Sequence, residues 1–241
     1  MGFLDIPAPL FTAIDGALKS LPPLARLLIW AVVTAILSMY LYWLCSAQEK
    51  VGQAKERAIA ARQKMAGYDG HEFGEMWPLA KESLASSGKH FLVVLGPAVL
   101  SSVPALMLII WVSGQFSYTL PDAGTAVSVS AIPENELSVS EVSWPAADAP
   151  AELLDSNGLS LLLLPLEAAV PVVHKRLWWN SVIGNPNGYL SDDASVTEVH
   201  FELAPISYLS FGPGWVRGWE LTYFLVLVIC SLGIKVAFRI H

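Results

Sequence analysis

The stretch HEFGE at residues 71–75 sets His71, Glu72 and Glu75 close together, residue types that can hold zinc and activate a bound water. A metalloprotease helix needs a second histidine at the fourth position after the first, and that position is Glu75. The cluster therefore reads as the solvated start of a helix. His174, Asp192, Asp193 and His200 also carry metal-ligating atoms, but nothing in their spacing demands a common site, and they read as surface residues. The sequence contains no G-x-S-x-G, no phosphate-cradling glycine loop, no C-x-x-C and no basic stripe for nucleic acid. An enzyme is disfavoured; no catalytic residue, cofactor, metal or nucleic-acid partner is expected.

The other polar side chains of interest lie inside long apolar runs. Thr34 and Ser38 are one helical turn apart, Ser101 and Ser102 lie between Pro97 and Pro104, and Thr222 and Ser231 sit near the end of the chain. Two readings stay open. Small hydroxyls bond back to their own helix and let helices approach closely. Alternatively, the prolines free backbone carbonyls and kink the segment, and Thr34, Ser38, Pro97, Ser101, Ser102, Pro104, Thr222 and Ser231 line a polar groove.

The elements that must position these groups follow from composition. Of 241 residues, 54% are hydrophobic and 15% charged, against an apolar share of roughly 45–50% in an average soluble domain. The mean hydropathy is +0.51. A hydrocarbon core of about 30 Å calls for roughly 20 apolar residues, and Leu27 to Cys45, Phe91 to Val112 and Trp219 to Phe238 approach that length. LSLLLLPL at 159–166 is too short and ends in Pro165, which favours a buried strand or an interfacial piece. The N-terminal MGFLDIPAPLFTAIDGAL has no basic leader, so the first span is expected to stay in the protein. Cys45 and Cys230 both fall in spans and read as small apolar packing residues rather than a disulfide.

Basic residues are retained on the cytoplasmic side. The link between spans one and two carries seven (Lys50, Lys55, Arg57, Arg62, Lys64, Lys81 and Lys89), and the much longer link before span three carries only Lys175, Arg176 and Arg217. The expected fold is an α-helical integral membrane protein with three transmembrane helices, a cytoplasmic helical hairpin and a small β-rich extracytoplasmic domain. The boundaries are 1–23 for an extracytoplasmic amphipathic segment, 24–46 for span one, 47–90 for the hairpin, 91–113 for span two, 114–217 for the β-rich domain and 218–241 for span three. The expected location is a bacterial inner membrane, with the N-terminus outside and the C-terminus, His241 included, in the cytoplasm.

At the N-terminus, Phe3, Ile6, Leu10, Phe11, Ile14 and Leu18 recur at helical spacing with Asp5 and Asp15 off the stripe. This suits an amphipathic helix on the outer leaflet, the alternative being an irregular arm packed on a neighbouring subunit. In the hairpin, Val51, Ala54, Ala58, Ala61 and Met65 form a heptad seam of the coiled-coil kind, GYDG at 67–70 breaks it, and Phe73, Trp77, Ala80 and Leu84 form a second stripe before Ser86, Ser87 and Gly88. The two stripes are expected to face each other. In the outer segment VSVSAI (127–132), LSVSEVSW (137–144), LSLLLL (159–164) and VTEVHFEL (196–203) read as strands. Trp178 and Trp179, like Trp215 and Trp219, suit an interface with lipid headgroups. Val51, Ala58, Met65, Phe73, Trp77, Trp178 and Trp179 are the candidate partner contacts.

This order of parts resembles the YidC/Oxa superfamily of membrane insertases, most closely its minimal three-span branch of archaeal YidC-like proteins and the third subunit of the endoplasmic reticulum membrane protein complex. The residues that carry the resemblance are SMYLYWLCSAQEKVGQAKERAIAARQKM, the Pro97 to Pro104 stretch and GWVRGWELTYFLVLVICSLGIKVAFRIH, over roughly residues 22–113 and 214–241. The resemblance implies a three-helix groove open to the cytoplasm and lipid, with the hairpin receiving a hydrophobic client segment. This chain departs from many bacterial members in lacking a basic residue inside the groove, since Arg26 and Lys235 fall at span ends. It departs from the minimal branch in its long outer domain. Two functions are therefore expected: an insertion or assembly factor, or a non-catalytic subunit of a larger membrane complex. The expected partners are the lipid bilayer and either other membrane protein subunits or hydrophobic client segments.

Overall fold

A computed structural model describes residues 2–70, 72–134 and 136–239; His71 and His241 lie outside them. After a short 3-10 turn at Phe3–Asp5 come helices α1 (Ala8–Ala17), α2 (Pro23–Cys45), α3 (Gln48–Ala66) and α4 (Phe73–Phe116). Strands β1 (Tyr118–Thr119), β2 (Ala126–Ile132), β3 (Glu141–Ser143), β4 (Ala151–Leu154), β5 (Ser160–Leu164), β6 (Val172–His174), β7 (Glu198–Phe201) and β8 (Ala204–Pro205) follow. The chain then forms α5 (Gly214–Arg217) and α6 (Trp219–Ala237). Among the described residues α2, α4 and α6 are long and apolar enough to cross a membrane. That is the character of an integral membrane protein. The chain divides into two compact units, the first Met1–Ala31 with Leu106–Leu225 and the second Val32–Ala105 with Val226–His241.

The first unit holds the sheets. Antiparallel strands run in the order β3-β2-β7-β6, β4 and β5 pair as a hairpin, and β1 pairs with β8. Alternation along β2 sends Val127, Val129 and Ala131 inward, and β7 contributes Val199 and Phe201. Trp144 meets Phe201 edge to face at 6.1 Å, and Leu153, Leu161 and Leu164 of the hairpin complete the core. Each such side chain removed from water contributes about 1.5–3 kcal/mol, which is what orders strands this short. LSLLLL forms β5 within this core, as its length and its proline suggested. The strands at 151–154 and 172–174, which the pattern did not reveal, are short and only partly alternating.

In the second unit, α3 buries Val51, Ala54, Ala58 and Ala61, with Met65 half-buried. Lys64 Nζ reaches Glu82 at 3.2 Å and Arg62 Nε reaches Ser87 Oγ at 3.3 Å. As one number rises the other falls, so the end of α3 runs antiparallel to residues 82–87. Two expectations are corrected here. Ser86, Ser87 and Gly88 do not end a short helix: α4 continues through them for 44 residues, about 66 Å at 1.5 Å per residue. One glycine costs only about 1 kcal/mol in a helix, and the apolar run beyond it propagates the same ladder. The second correction concerns facing. Phe73, Trp77 and Leu84 are exposed, Leu84 at 77%, and the buried side chain of this stretch is Ser83. The alanine-rich seam of α3 is buried while the bulky stripe of Phe73, Trp77 and Leu84 stays outward, so the two do not face each other. Cys45 and Cys230 are free, and Cys45 is exposed rather than packed in a core.

Candidate functional site

The hydroxyls predicted to line a groove are positioned by helix periodicity. Thr34 is fully buried and Ser38, one turn on, is half-buried and donates to the Thr34 carbonyl at 2.7 Å. Ser101 is 6% exposed, whereas Ser102 is exposed. Adjacent helical residues point about 100° apart, so these two serines do not line one wall. Ser101 Oγ donates to the Ala98 carbonyl at 3.0 Å and Ser102 Oγ to the Val99 carbonyl at 2.7 Å. The carbonyls that Pro97 and Pro104 leave without an amide donor are four residues earlier, at Val93 and Leu100. The serines thus satisfy themselves and do not take up the proline-freed acceptors. Pro97, Pro104 and Ser231 are half-buried in the second unit; Thr222, also half-buried, belongs to the first. The set offers packing and weak hydrogen bonding, with no titratable group among its members.

The candidate partner contacts separate into two kinds. Val51 and Ala58 are buried in the hairpin and Met65 half so, which leaves little of them for another molecule. Phe73 and Trp77 are exposed and stack on each other with centroids 6.0 Å apart. Trp178 is 86% exposed, while Trp179 rests against the His174 ring at 5.3 Å. His174 Nδ1 lies 2.6 Å from the Lys175 carbonyl and His200 Nε2 pairs with Glu198 at 3.0 Å. Among the described residues no three His, Cys, Asp or Glu side chains gather as a metal site.

Sequence reasoning missed a polar and aromatic cluster in the first unit. Asp15 of α1 is 4% exposed and accepts from Arg26 Nε at 3.0 Å, from Arg26 Nη2, and from Trp30 Nε1 at 3.0 Å. Around this pair Phe11, Trp30 and Trp111 pack edge to face, with Trp30 and Trp111 only 4.7 Å apart. Trp111 Nε1 donates to Thr12 Oγ1 at 2.9 Å, and the Arg26 guanidinium lies 5.3 Å from the Phe116 ring centroid. Tyr208 donates to the Phe116 carbonyl at 3.1 Å; burial holds its phenol above the ordinary range, against the opposing pull of the Arg26 charge. The available signal was Asp15 standing off the apolar stripe eleven residues before Arg26. Periodicity marked Asp15 as polar but not as buried.

Comparison with protein-family models, with curated proteins and with solved structures found no match to this chain.

Proposed function

We propose that this protein is a YidC/Oxa-like insertion or assembly factor, which accommodates apolar segments of other membrane proteins against its own spans. One observation supports this reading above the rest: within the chain only 11% of the most apolar stretch of α4 and 6% of that of α6 is buried. Leu92, Leu95, Val99 and Leu100 along α4, and Val228, Ile229 and Leu232 along α6, are exposed. Helices in lipid associate through packing and small polar contacts rather than hydrophobic drive, so such faces can exchange lipid for a client helix at little cost. In this reading the α3–α4 hairpin lies in the cytoplasm of a bacterial cell and the sheet domain outside the inner membrane.

The test is site-specific photo-crosslinking from Leu92 and Leu100 in cells, combined with depletion of the protein and insertion of a short single-span substrate. Crosslinks to nascent substrate together with lost insertion support the proposal. Normal insertion after depletion refutes it. Orientation is checked separately with single cysteines at Lys64 and Asp193 in a chain lacking Cys45 and Cys230: the impermeant reagent should reach only Asp193.

The second reading, a non-catalytic subunit docking on fixed partners, is favoured by the self-satisfied hydroxyls of Ser38, Ser101 and Ser102. Purification under mild detergent discriminates the two. A fixed set of companions points to a subunit, and ribosomes or varied clients point to an insertion factor.

A further inference from the structure

Two segments of the first unit turn apolar side chains away from the protein, and the Asp5 carboxylate and a backbone bond join them. On the N-terminal segment Ile6, Leu10 and Ile14 are exposed, while Asp15 on another face of α1 holds Arg26 and Trp30 in the first two turns of α2. After β6, the loop Leu177–Ile183 exposes Trp178 and Val182. Asn180 shapes that loop from inside: it is buried, accepts from the Leu177 amide at 2.7 Å and donates to the Ile183 carbonyl at 3.1 Å. Asp5 Oδ2 then accepts from the Gly2 amide at 2.8 Å and from the Gly184 amide at 2.6 Å, and the Leu4 amide donates to the Val182 carbonyl at 2.9 Å. The backbones approach so closely that a Cβ on Gly2 would lie 2.6 Å from the Val182 backbone.

We propose that Leu177–Ile183 is a lipid-contact loop of the sheet domain, seated in the same interfacial layer as α1 and held there by the Asp5 clamp. The occupant follows from depth. Trp30 lies seven residues into α2, about 10 Å along a helix that rises 1.5 Å per residue, so α1 is fixed near one end of an apolar helix long enough to span. Helices lying in the interface sit about 5–10 Å into the headgroup boundary. Whatever is clamped to the turn preceding α1 shares that level, and Trp178, apolar in body with one polar N–H, is the side chain suited to it. The inference rests on reading α2 as a membrane span.

The test uses the full chain with Cys45 and Cys230 changed to Ser, reconstituted in phosphatidylcholine and phosphatidylglycerol vesicles. Spin labels go singly at Leu10, Trp178, Ile36 in the exposed face of α2, and Asp193 as a water reference. Accessibility to oxygen and to a nickel chelate is then measured. Labels at Leu10 and Trp178 should lie between the oxygen-rich Ile36 and the nickel-accessible Asp193. In Asp5→Ala, and in Gly2→Val as an independent break of the same contact, the Trp178 label should shift to the Asp193 value while Leu10, still held by Asp15, stays. An aqueous Ile36 refutes the span reading itself. A lipid-shielded Ile36 with an aqueous Trp178 overturns only the lipid loop, and protection of Trp178 in native membranes but not in vesicles assigns it to a protein partner instead. A Trp178 label unmoved by both variants overturns the clamp.

Discussion

Replacing Asp15 with Ala removes the only carboxylate in α1 and with it the acceptor for both Arg26 and Trp30. The Asp15 side chain is 5% exposed and that of Arg26 18%, so the variant strands a nearly buried guanidinium. Removing one partner of a buried ion pair costs about 3–5 kcal/mol. The contact that Arg26 keeps with the Phe116 ring places the expectation at the low end, about 3 kcal/mol. Asp15→Asn keeps an oxygen toward Trp30 and loses the charge, for about 1.5 kcal/mol. Because α1 is a short helix joined to α2 through Asp15, the loss appears as local opening, which native-state hydrogen exchange of the full chain in nanodiscs reads directly. At about 1.4 kcal/mol per tenfold, amides of Ala8–Ala17 should exchange roughly 150-fold faster in Asp15→Ala and about tenfold faster in Asp15→Asn. The double variant Asp15→Leu with Arg26→Met should fall within about tenfold of the parent, since an apolar pair of similar size often replaces a buried ion pair without loss. Exchange within a factor of about three of the parent in Asp15→Ala would refute the assignment of this pair as the pin that holds α1.

Other positions carry equally direct expectations. Ala58→Asp puts an unpaired charge in the buried α3 seam and should cost a few kcal/mol, seen as faster proteolysis of the hairpin, whereas Trp77→Asp, on the exposed stripe, should change stability by only about 0.5 kcal/mol. Equal cleavage of the two would mean that α3 does not pack as described. Ser101→Leu overfills a buried position and should destabilise by about 1–3 kcal/mol in detergent unfolding, while Ser102→Leu, exposed on the same helix, should be tolerated. Asp155 in the β4–β5 turn accepts from the Leu159 amide, the Asn157 amide and the Ser195 hydroxyl, and these bonds, the Leu159 amide foremost, hold its carboxyl below the ordinary range against the opposing effect of burial. Its folded pKa is lower than its unfolded one of about 3.9, so the stability it lends is present above that value and is lost as pH falls through the folded pKa. Protection of the turn amides, with the intrinsic pH dependence of exchange divided out, should therefore fall below about pH 4, and Asp155→Asn should flatten that dependence.

The three apolar runs were legible because spanning length is a property of a segment alone, and α2 and α6 start and stop close to where composition changes. Alternation at 126–132 and 198–201 is equally local, since a strand with one buried face must repeat every second residue. The small-residue stripe of α3 was legible for the same reason. Which partner each face meets was not, because it depends on chain segments far away. Nothing within residues 73–90 says that Ser83 is buried and Trp77 exposed; the rest of the unit decides which face is covered. Nothing within residues 96–104 says that Ser101 turns inward and Ser102 outward, since both are serines on one helix and the direction of the rest of the unit distinguishes them. Asp15 read as a polar residue from its own helix and became a buried carboxylate only when Arg26 and Trp30 closed over it. A charge is tolerated in such a place only with a partner, and the partner is supplied by the fold.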